Sequence, residues 1–142
     1  MNEPSGPTLA SIHHLALTVT DLEASVAWYE TVLGFQRAND VPHYDPRSEG
    51  YGVMLLHPGA GLPIVLHHHT TNDNAPFTEW RTGMDHVGLS VPTRSELTQW
   101  QERFTHLEVT QSPIVELDEY EVCVLVFRDP DDIQLELVSP IR

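Results

Sequence analysis

One pattern of strand, helix-capping residues and helix occurs twice in this chain, and this duplication limits the folds it can adopt. The segment 11–35 (SIHHLALTVTDLEASVAWYETVLGF) returns in outline over 85–107. His14 and His86 are 72 positions apart, and so are Leu17 and Leu89. The two helices are not in the same register, so the strands carry the clearest repeat. Self-similarity over half a chain predicts two packed copies of one supersecondary unit.

The strand of each repeat alternates apolar residues with small or polar ones. Alternate residues of a strand point to opposite faces of a sheet, so each strand has one face to bury and one open face. The buried faces carry Leu15, Leu17 and Val19 in the first repeat and Val87, Leu89 and Val91 in the second. The open faces carry His14, Ala16 and Thr18, and His86, Gly88 and Ser90. Small side chains beside a single imidazole are typical of a cavity wall.

Each repeat then predicts a helix. The sequences Thr20-Asp-Leu-Glu and Thr93-Arg-Ser-Glu match the capping box that begins a helix, and Gly34 is placed to end the first one. Apolar residues at helical spacing form one buried stripe in each helix: Leu22, Val26, Tyr29 and Leu33, and then Leu97, Trp100, Phe104 and Leu107.

The remaining segments complete the same order in both halves. Strands are predicted at 35–41, 51–57 and 62–68, and again at 114–117, 121–128 and 133–138. We therefore predict an α+β fold of two tandem βαβββ modules that form a cup-shaped mixed sheet with the helices outside. The predicted parts are a disordered lead-in (1–10), module 1 (11–69), a polar linker (70–83) and module 2 (84–142).

Composition excludes several classes of function. The 142 residues carry a formal net charge of −14, with seven arginines and no lysine, which disfavours binding to nucleic acid and to anionic membranes. No apolar run reaches the roughly 20 residues of a membrane helix, and the N-terminus does not match a secretory signal. With Cys123 as the lone cysteine, predicted to be buried and inert, a cytoplasmic location is expected.

Three residues on the open faces have the chemistry of metal ligands. His14, His86 and Glu136 would supply two imidazoles and a carboxylate, which hold a borderline divalent ion and leave positions for water or substrate. The recurrence of the histidine in both repeats favours this interpretation. The alternatives are solvent-facing histidines at strand starts, and an acid on an exposed outer strand. Motifs for nucleotide binding, serine hydrolysis and dithiol chemistry are absent from the sequence.

A histidine cluster and two tyrosines are further candidates. His67 and His69 share a strand face and either line the site or end a solvated strand; His67 is a possible fourth ligand or general base. Tyr51 and Tyr120 are candidate pocket residues, with half-buried structural tyrosines as the alternative. The loops at 42–50, 69–83 and 118–120 would set the choice of substrate.

The motifs HHLALTVTDLEASVAWYETVLGF, DHVGLSV and FRDPDDIQLELV resemble the vicinal oxygen chelate superfamily. This group includes glyoxalase I, extradiol dioxygenases, fosfomycin-resistance transferases and bleomycin-resistance proteins. The resemblance implies one domain over 11–139, with metal ligands at His14, His86 and Glu136. Aligning Leu66 with Leu137 places Val65 opposite Glu136, so the four-ligand pattern of glyoxalase I is broken unless His67 substitutes.

The resemblance leaves three functions open. The first is a metal-dependent lyase, isomerase or dioxygenase that uses Zn, Ni, Mn or Fe to chelate a small oxygenated substrate. The second is a metal-free protein that sequesters a drug or natural product, for which an acidic chain suits a cationic ligand. The third is a structural or regulatory dimer. The resemblance also implies a homodimer, in which the site lies within one chain or is shared by two.

Overall fold

The computed structural model describes residues 6–42, 46–47 and 49–142. Module 1 contains the strands β1 to β4 and the helix α1, which continues as a π-helix; module 2 contains β5 to β8 and the helix α2. The bounds are β1 Leu15–Thr18, α1 Leu22–Trp28 with the π-helix Tyr29–Leu33, β2 Gln36–Pro42, β3 Gly50–Leu56 and β4 Ile64–His69, then β5 Val87–Ser90, α2 Arg94–His106, β6 Val115–Leu117, β7 Val122–Arg128 and β8 Gln134–Pro140.

The strands form two four-stranded mixed sheets with the same topology. The order is β1-β4-β3-β2 in module 1 and β5-β8-β7-β6 in module 2. The first strand of each module runs parallel to the last, and the other pairs are antiparallel. The α+β class and the two βαβββ modules are confirmed. Among the described residues, no ladder joins β1 to β5, so each remains an edge strand of its own sheet.

The predicted alternation of faces is confirmed in both modules. Leu66 of module 1 and its counterpart Leu137 of module 2 are at most 3% exposed, as are Leu17 and Leu135 on the same faces. The predicted stripe of the first helix lies inward, because Leu22, Val26, Tyr29 and Leu33 are all buried. In the second helix Leu97 and Phe104 are buried, whereas Trp100 and Leu107 are half-buried and pack against the core. Burial of such side chains contributes about 1.5–3 kcal/mol each, so these faces supply the main stabilisation of the modules.

The two helices begin differently. The predicted capping box at Thr93 is confirmed, since its hydroxyl accepts a hydrogen bond from the Glu96 N–H at 3.1 Å. The capping box predicted at Thr20 is wrong, because Asp21 is the N-cap and its side chain accepts a hydrogen bond from the Ala24 N–H. Thr20 is unavailable because its N–H and hydroxyl both bind the Asp131 carboxylate of module 2.

The first helix ends at Gly34, as predicted. Its last turn is π-helical, and Gly34 has φ 81°, in the left-handed region that glycine adopts without steric cost.

The modules pack together through their helices and the β7 strand. Trp28 stacks on Phe127 with ring centroids 6.4 Å apart, and Phe104 lies 4.5 Å from the same ring. Arg103 of α2 donates hydrogen bonds to the carbonyls of Thr31 and Val32 at the end of the first helix. The open faces of the two sheets therefore lie away from the contact that joins the modules.

A buried acidic turn also joins the modules. Asp129 accepts from the Tyr29 hydroxyl at 2.9 Å and from the N–H groups of Asp131 and Ile133. Burial raises the pKa of Asp129 to about 6, although these three hydrogen bonds favour the charged form. The tight connection predicted at 129–132 thus also attaches module 2 to the first helix.

Two predicted segments fall partly outside the described residues. Of the lead-in, residues 1–5 are outside, and 6–10 contain no helix or strand. Of the loop at 42–50, residues 43–45 and 48 are outside. Cys123 is fully buried, as expected. In the part of the chain that the structure describes, no helix is long and apolar enough to cross a membrane.

Candidate functional site

The strongest cluster of ligand-type atoms lies on the open face of module 2. His86 directly precedes β5, and Glu136 lies in the middle of β8, the strand paired with β5. The Nε2 atom of His86 is 3.1 Å from Oε1 of Glu136. Glu136 therefore has a partner, which explains how an acid is accommodated between apolar neighbours. Their side chains are 39% and 18% exposed, so the pair lies at a surface open to a ligand.

The other nitrogen of His86 also has a carboxylate partner. Nδ1 of His86 lies 2.6 Å from Oδ1 of Asp85, the residue before it. The hydrogen bond to Asp85 is the main cause that raises the pKa of His86, and the charge of Glu136 adds to it.

His14 occupies the equivalent position in module 1 but does not join this pair. It precedes β1, is exposed, and its Nδ1 lies 2.9 Å from Nδ1 of His13. Within the described ranges of a single chain, no group of three or more His, Cys, Asp or Glu side chains could hold a metal ion. The chain thus brings two of the three predicted ligands together and leaves the third in the other module.

The strand registers support the predicted equivalence of Val65 and Glu136. Val65 pairs with Ala16 in module 1, and Glu136 pairs with Gly88 in module 2. Ala16 and Gly88 are themselves 72 positions apart. Val65 is only 2% exposed although it lies on the open face. Module 1 therefore has an apolar side chain where module 2 has its carboxylate.

His67 and His69 lie further along the same face of β4, with ring centroids 6.2 Å apart. His67 is paired with Gly52, and a Cβ atom added at Gly52 would lie 2.9 Å from Cε1 of the imidazole. The missing side chain of Gly52 therefore leaves the space that the His67 ring occupies.

The two predicted pocket tyrosines lie away from this cluster. Tyr51 pairs with His68, so it points to the face of module 1 opposite His67, and it is 44% exposed. Tyr120 ends the short 3₁₀ turn before β7 and is 68% exposed.

Sequence reasoning missed Arg128, Glu79 and Asp85, which lie around the His86–Glu136 pair. Arg128 donates two hydrogen bonds to the carboxylate of Glu79 in the linker and one to Gln134, and the Glu79 pKa falls to about 2 because of Arg128. This ion pair attaches the linker to the end of β7. Asp85 was also missed. Its place beside a ligand-type histidine was the available signal, whereas nothing local pairs Arg128 with a residue 49 positions away.

The residues at the pair fit a divalent ion. An imidazole nitrogen and a carboxylate oxygen are common ligands of Zn, Mn, Fe and Ni, and here both atoms lie close to one point. Gly88 lies beneath the Glu136 carboxylate, and because it has no side chain, the open face is unobstructed there. His86 and Glu136 would hold the ion, and further ligands must come from outside this module.

Comparison with known proteins places the chain in a family. The model of the Glyoxalase/Bleomycin resistance protein/Dioxygenase superfamily matches residues 11–137. A solved glyoxylase/bleomycin resistance protein/dioxygenase domain from Frankia sp. EAN1pec is 32% identical and has a TM-score of 0.82, over 94% of this chain and 99% of that one. FosX from Listeria monocytogenes, solved with Mn(II) and sulfate, is 19% identical with a TM-score of 0.66 over 93% of each chain.

Two curated relatives are named as enzymes. MhqA of Bacillus subtilis (strain 168), named as a ring-cleaving dioxygenase, is 27% identical over 131 residues; these are 90% of this chain and 40% of that protein. The metallothiol transferase FosB of Lysinibacillus sphaericus (strain C3-41) is 24% identical over 132 residues, which cover 91% and 82% of the two chains. With its duplicated modules and its family match over nearly the whole length, this chain belongs to the Glyoxalase/Bleomycin resistance protein/Dioxygenase superfamily.

Proposed function

We propose that this protein is a divalent-metal-dependent enzyme that acts on a small oxygenated substrate. The observation that carries the proposal is the convergence of His86 Nε2 and Glu136 Oε1, 3.1 Å apart, on the open face of module 2. The names of its relatives, a dioxygenase and a metallothiol transferase, favour an enzyme. The Mn(II) complex of FosX, which shares the fold, favours a metal ion as the cofactor.

The third ligand would be His14 of a second copy. β1 and β5 are edge strands, and a twofold axis that places β1 of one chain beside β5 of the other makes the same contact twice. That contact would bring the open faces of two different chains together. An apolar cavity of about 510 Å³ lies between the modules and is lined by both edge strands and by Trp100. A second copy would cover it, and we propose a homodimer.

The side chains around the pair have distinct tasks in this arrangement. When bound, the ion would hold two adjacent oxygens of the substrate and stabilise the negative charge that develops on them. Val124, Val126 and Val138 form the apolar surface next to Glu136, which would contact the carbon skeleton and exclude water. His67 of the second copy, on the same open face as its His14, is the candidate general base, because a neutral imidazole can take a proton near neutral pH.

A mixing experiment tests the shared site. His14→Ala and Glu136→Ala chains are each expected to lose Mn²⁺ binding, measured by calorimetry, while circular dichroism and dimer mass stay unchanged. When the two variants are unfolded, mixed and refolded together, each mixed dimer regains one intact site. Binding that is not regained, with mixed dimers shown by mass spectrometry, would place the site within one chain, whereas binding retained by the His14→Ala variant alone would remove His14 from the site.

A metal-free binding protein is the second candidate, favoured by the apolar surface of module 2. Val115 and Leu117 of β6 are 49% and 38% exposed beside the valines of β7. Such a surface suits an aromatic drug, and the net charge of −14 suits a cationic one. Metal analysis of the purified protein discriminates the two: absence of Zn, Ni, Mn and Fe, together with tight binding of a cationic aromatic drug, would support sequestration.

A further inference from the structure

The residue before each ligand histidine differs between the modules. Asp85 precedes His86 and His13 precedes His14, again 72 positions apart. Each contacts Nδ1 of the histidine that follows it, at 2.6 Å for Asp85 and 2.9 Å for His13. The duplication therefore keeps the contact but changes its chemistry, and the change has consequences for how each imidazole binds a ligand.

The carboxylate of Asp85 selects one tautomer of His86. Both nitrogens of His86 face carboxylates, which only accept hydrogen bonds, so in the neutral imidazole Asp85 and Glu136 compete for the single proton. The contact of Nδ1 with Asp85, 2.6 Å, is shorter than that of Nε2 with Glu136, 3.1 Å, which favours the proton on Nδ1 and leaves the lone pair on Nε2. The nitrogen that faces the proposed metal position is thus the one prepared to bind it.

His13 selects no tautomer of His14. In a contact between two Nδ1 atoms, one ring donates and the other accepts, and the roles can be exchanged. When His14 accepts through Nδ1, its Nε2 carries the proton and cannot bind an ion. Part of the His14 population is therefore in the tautomer that a metal must convert before it binds.

We infer that Asp85 is a positioning residue that holds His86 in the tautomer and orientation required for ligation through Nε2, and that module 1 lacks this function. The inference rests on the proposed metal site. In module 2, Asp85, His86 and Glu136 form one continuous chain of contacts, so this module would bind the ion more tightly than module 1. Outer-shell carboxylates of this kind typically account for about 10- to 100-fold in metal affinity.

The first test uses metal-free protein, so its outcome does not depend on the metal site. Long-range ¹H–¹⁵N spectra, recorded well above the pH at which the imidazole titrates, report the tautomer of His86. We expect mainly Nδ1–H in the wild type and mainly Nε2–H in Asp85→Ala. An unchanged His86 tautomer in Asp85→Ala would overturn the inference, even if the protein binds metal as proposed.

The second test measures Mn²⁺ affinity by calorimetry. Asp85→Ala is expected to weaken binding by about 10- to 100-fold, and Asp85→Asn by less, because the amide oxygen still accepts from Nδ1–H. Asp118→Asn removes one carboxylate charge elsewhere in module 2 and serves as the control. Equal losses in the control and in Asp85→Ala would overturn the inference in favour of a general charge effect. A wild type that binds no Mn²⁺ contradicts the proposed function and leaves the tautomer result to decide on Asp85.

The third test transfers the feature to module 1. His13→Asp supplies the carboxylate that His14 lacks, so the Nδ1–H tautomer of His14 is expected to increase and Mn²⁺ affinity to rise several-fold. The Ala variant at the same position is the control, since it removes the His13 ring without adding an acceptor. A His14 tautomer that is the same in both variants would contradict the proposed role of a preceding carboxylate.

Discussion

The two modules bury matching residues on their helix-covered faces and differ on their open faces. Leu66 and Leu137 occupy the same register position in the two sheets, and both are at most 3% exposed. One position earlier, the open faces carry Val65 in module 1 and Glu136 in module 2. The helix-covered faces tolerate few changes because they form the close-packed core, whereas the opposite faces can acquire chemistry in one copy alone. The duplicated fold therefore provides the scaffold, and the divergent faces provide the candidate site.

The largest effect is expected when module 2 is given the residue of module 1. Glu136→Val removes the proposed carboxylate ligand, so Mn²⁺ affinity should fall by more than the roughly 100-fold that loss of an outer-shell partner costs. Calorimetry measures the affinity, and circular dichroism checks the fold. Glu116→Val, which removes an exposed carboxylate of β6, is the control. Retained binding in Glu136→Val would show that the open faces do not differ in ligation.

The reciprocal change tests the burial of the module 1 position. Val65→Glu places an acid where the side chain is only 2% exposed; the counterpart of His86 in this module is His14, which is exposed and contacts His13. The unfolding free energy of the metal-free protein should fall by roughly 3–5 kcal/mol, the usual cost of a buried unpaired charge. Urea denaturation measures it, with Val65→Ala as the control for lost packing. A loss no greater than that of the Ala variant would contradict the expected charge penalty.

Matched truncations test whether the buried faces are equivalent. Leu66→Ala and Leu137→Ala each remove a buried leucine from the central strand of a module, and each should cost about 2–5 kcal/mol of unfolding free energy. Urea denaturation measures the loss in each variant, and both losses should fall within this range. A large difference would mean that one module depends on its core more than the other.

The buried turn at Asp129 between the modules should make the unfolding free energy depend on pH. The pKa of Asp129 is about 6 in the fold and 3.8 as its ordinary value, so the folded state binds this proton more tightly. The protonation of Asp129 therefore stabilises the fold most below pH 4, and this stabilisation is lost as the pH rises towards 6. For a pKa difference of about two units, the unfolding free energy falls by roughly 3 kcal/mol at most.

Asp129→Asn isolates this contribution from those of the other carboxylates. The amide oxygen can still accept from the N–H groups of Asp131 and Ile133, and the amide N–H₂ can donate to the Tyr29 hydroxyl. The difference in unfolding free energy between variant and wild type, measured by urea denaturation, should therefore grow in favour of the variant from pH 4 to pH 6. A constant difference across this range would contradict the raised pKa.

The smallest effects are expected at the helix caps, where the modules use different residues. Asp21→Ala and Thr93→Ala each remove one side-chain acceptor from a helix N-terminus and should cost about 1 kcal/mol of unfolding free energy. Thermal denaturation measures both, and Thr20→Val distinguishes the modules further. The Thr20 variant should also destabilise the protein, through Asp131 rather than through the cap. No effect of Thr20→Val would contradict that assignment.

The sequence alone determined the architecture and the positions of the candidate ligands. The alternation of apolar residues, the 72-residue repeat and Gly34 predicted the two modules and their faces, because local periodicity fixes which side chains are buried. Histidine at the start of each first strand and the acid within IQLELV identified His14, His86 and Glu136 as candidate ligands. These features are local, so they can be read from the chain.

Only the tertiary structure decided which of these residues meet. His86 contacts Glu136 because β5 pairs with β8, whereas His14 remains in the other module because the modules pack through their helices. The hydrogen bonds from Thr20 to Asp131, 111 positions away, and the ion pair of Arg128 with Glu79, 49 positions away, also depend on the tertiary structure. Such contacts are set by the packing of whole elements, which no short stretch of sequence encodes.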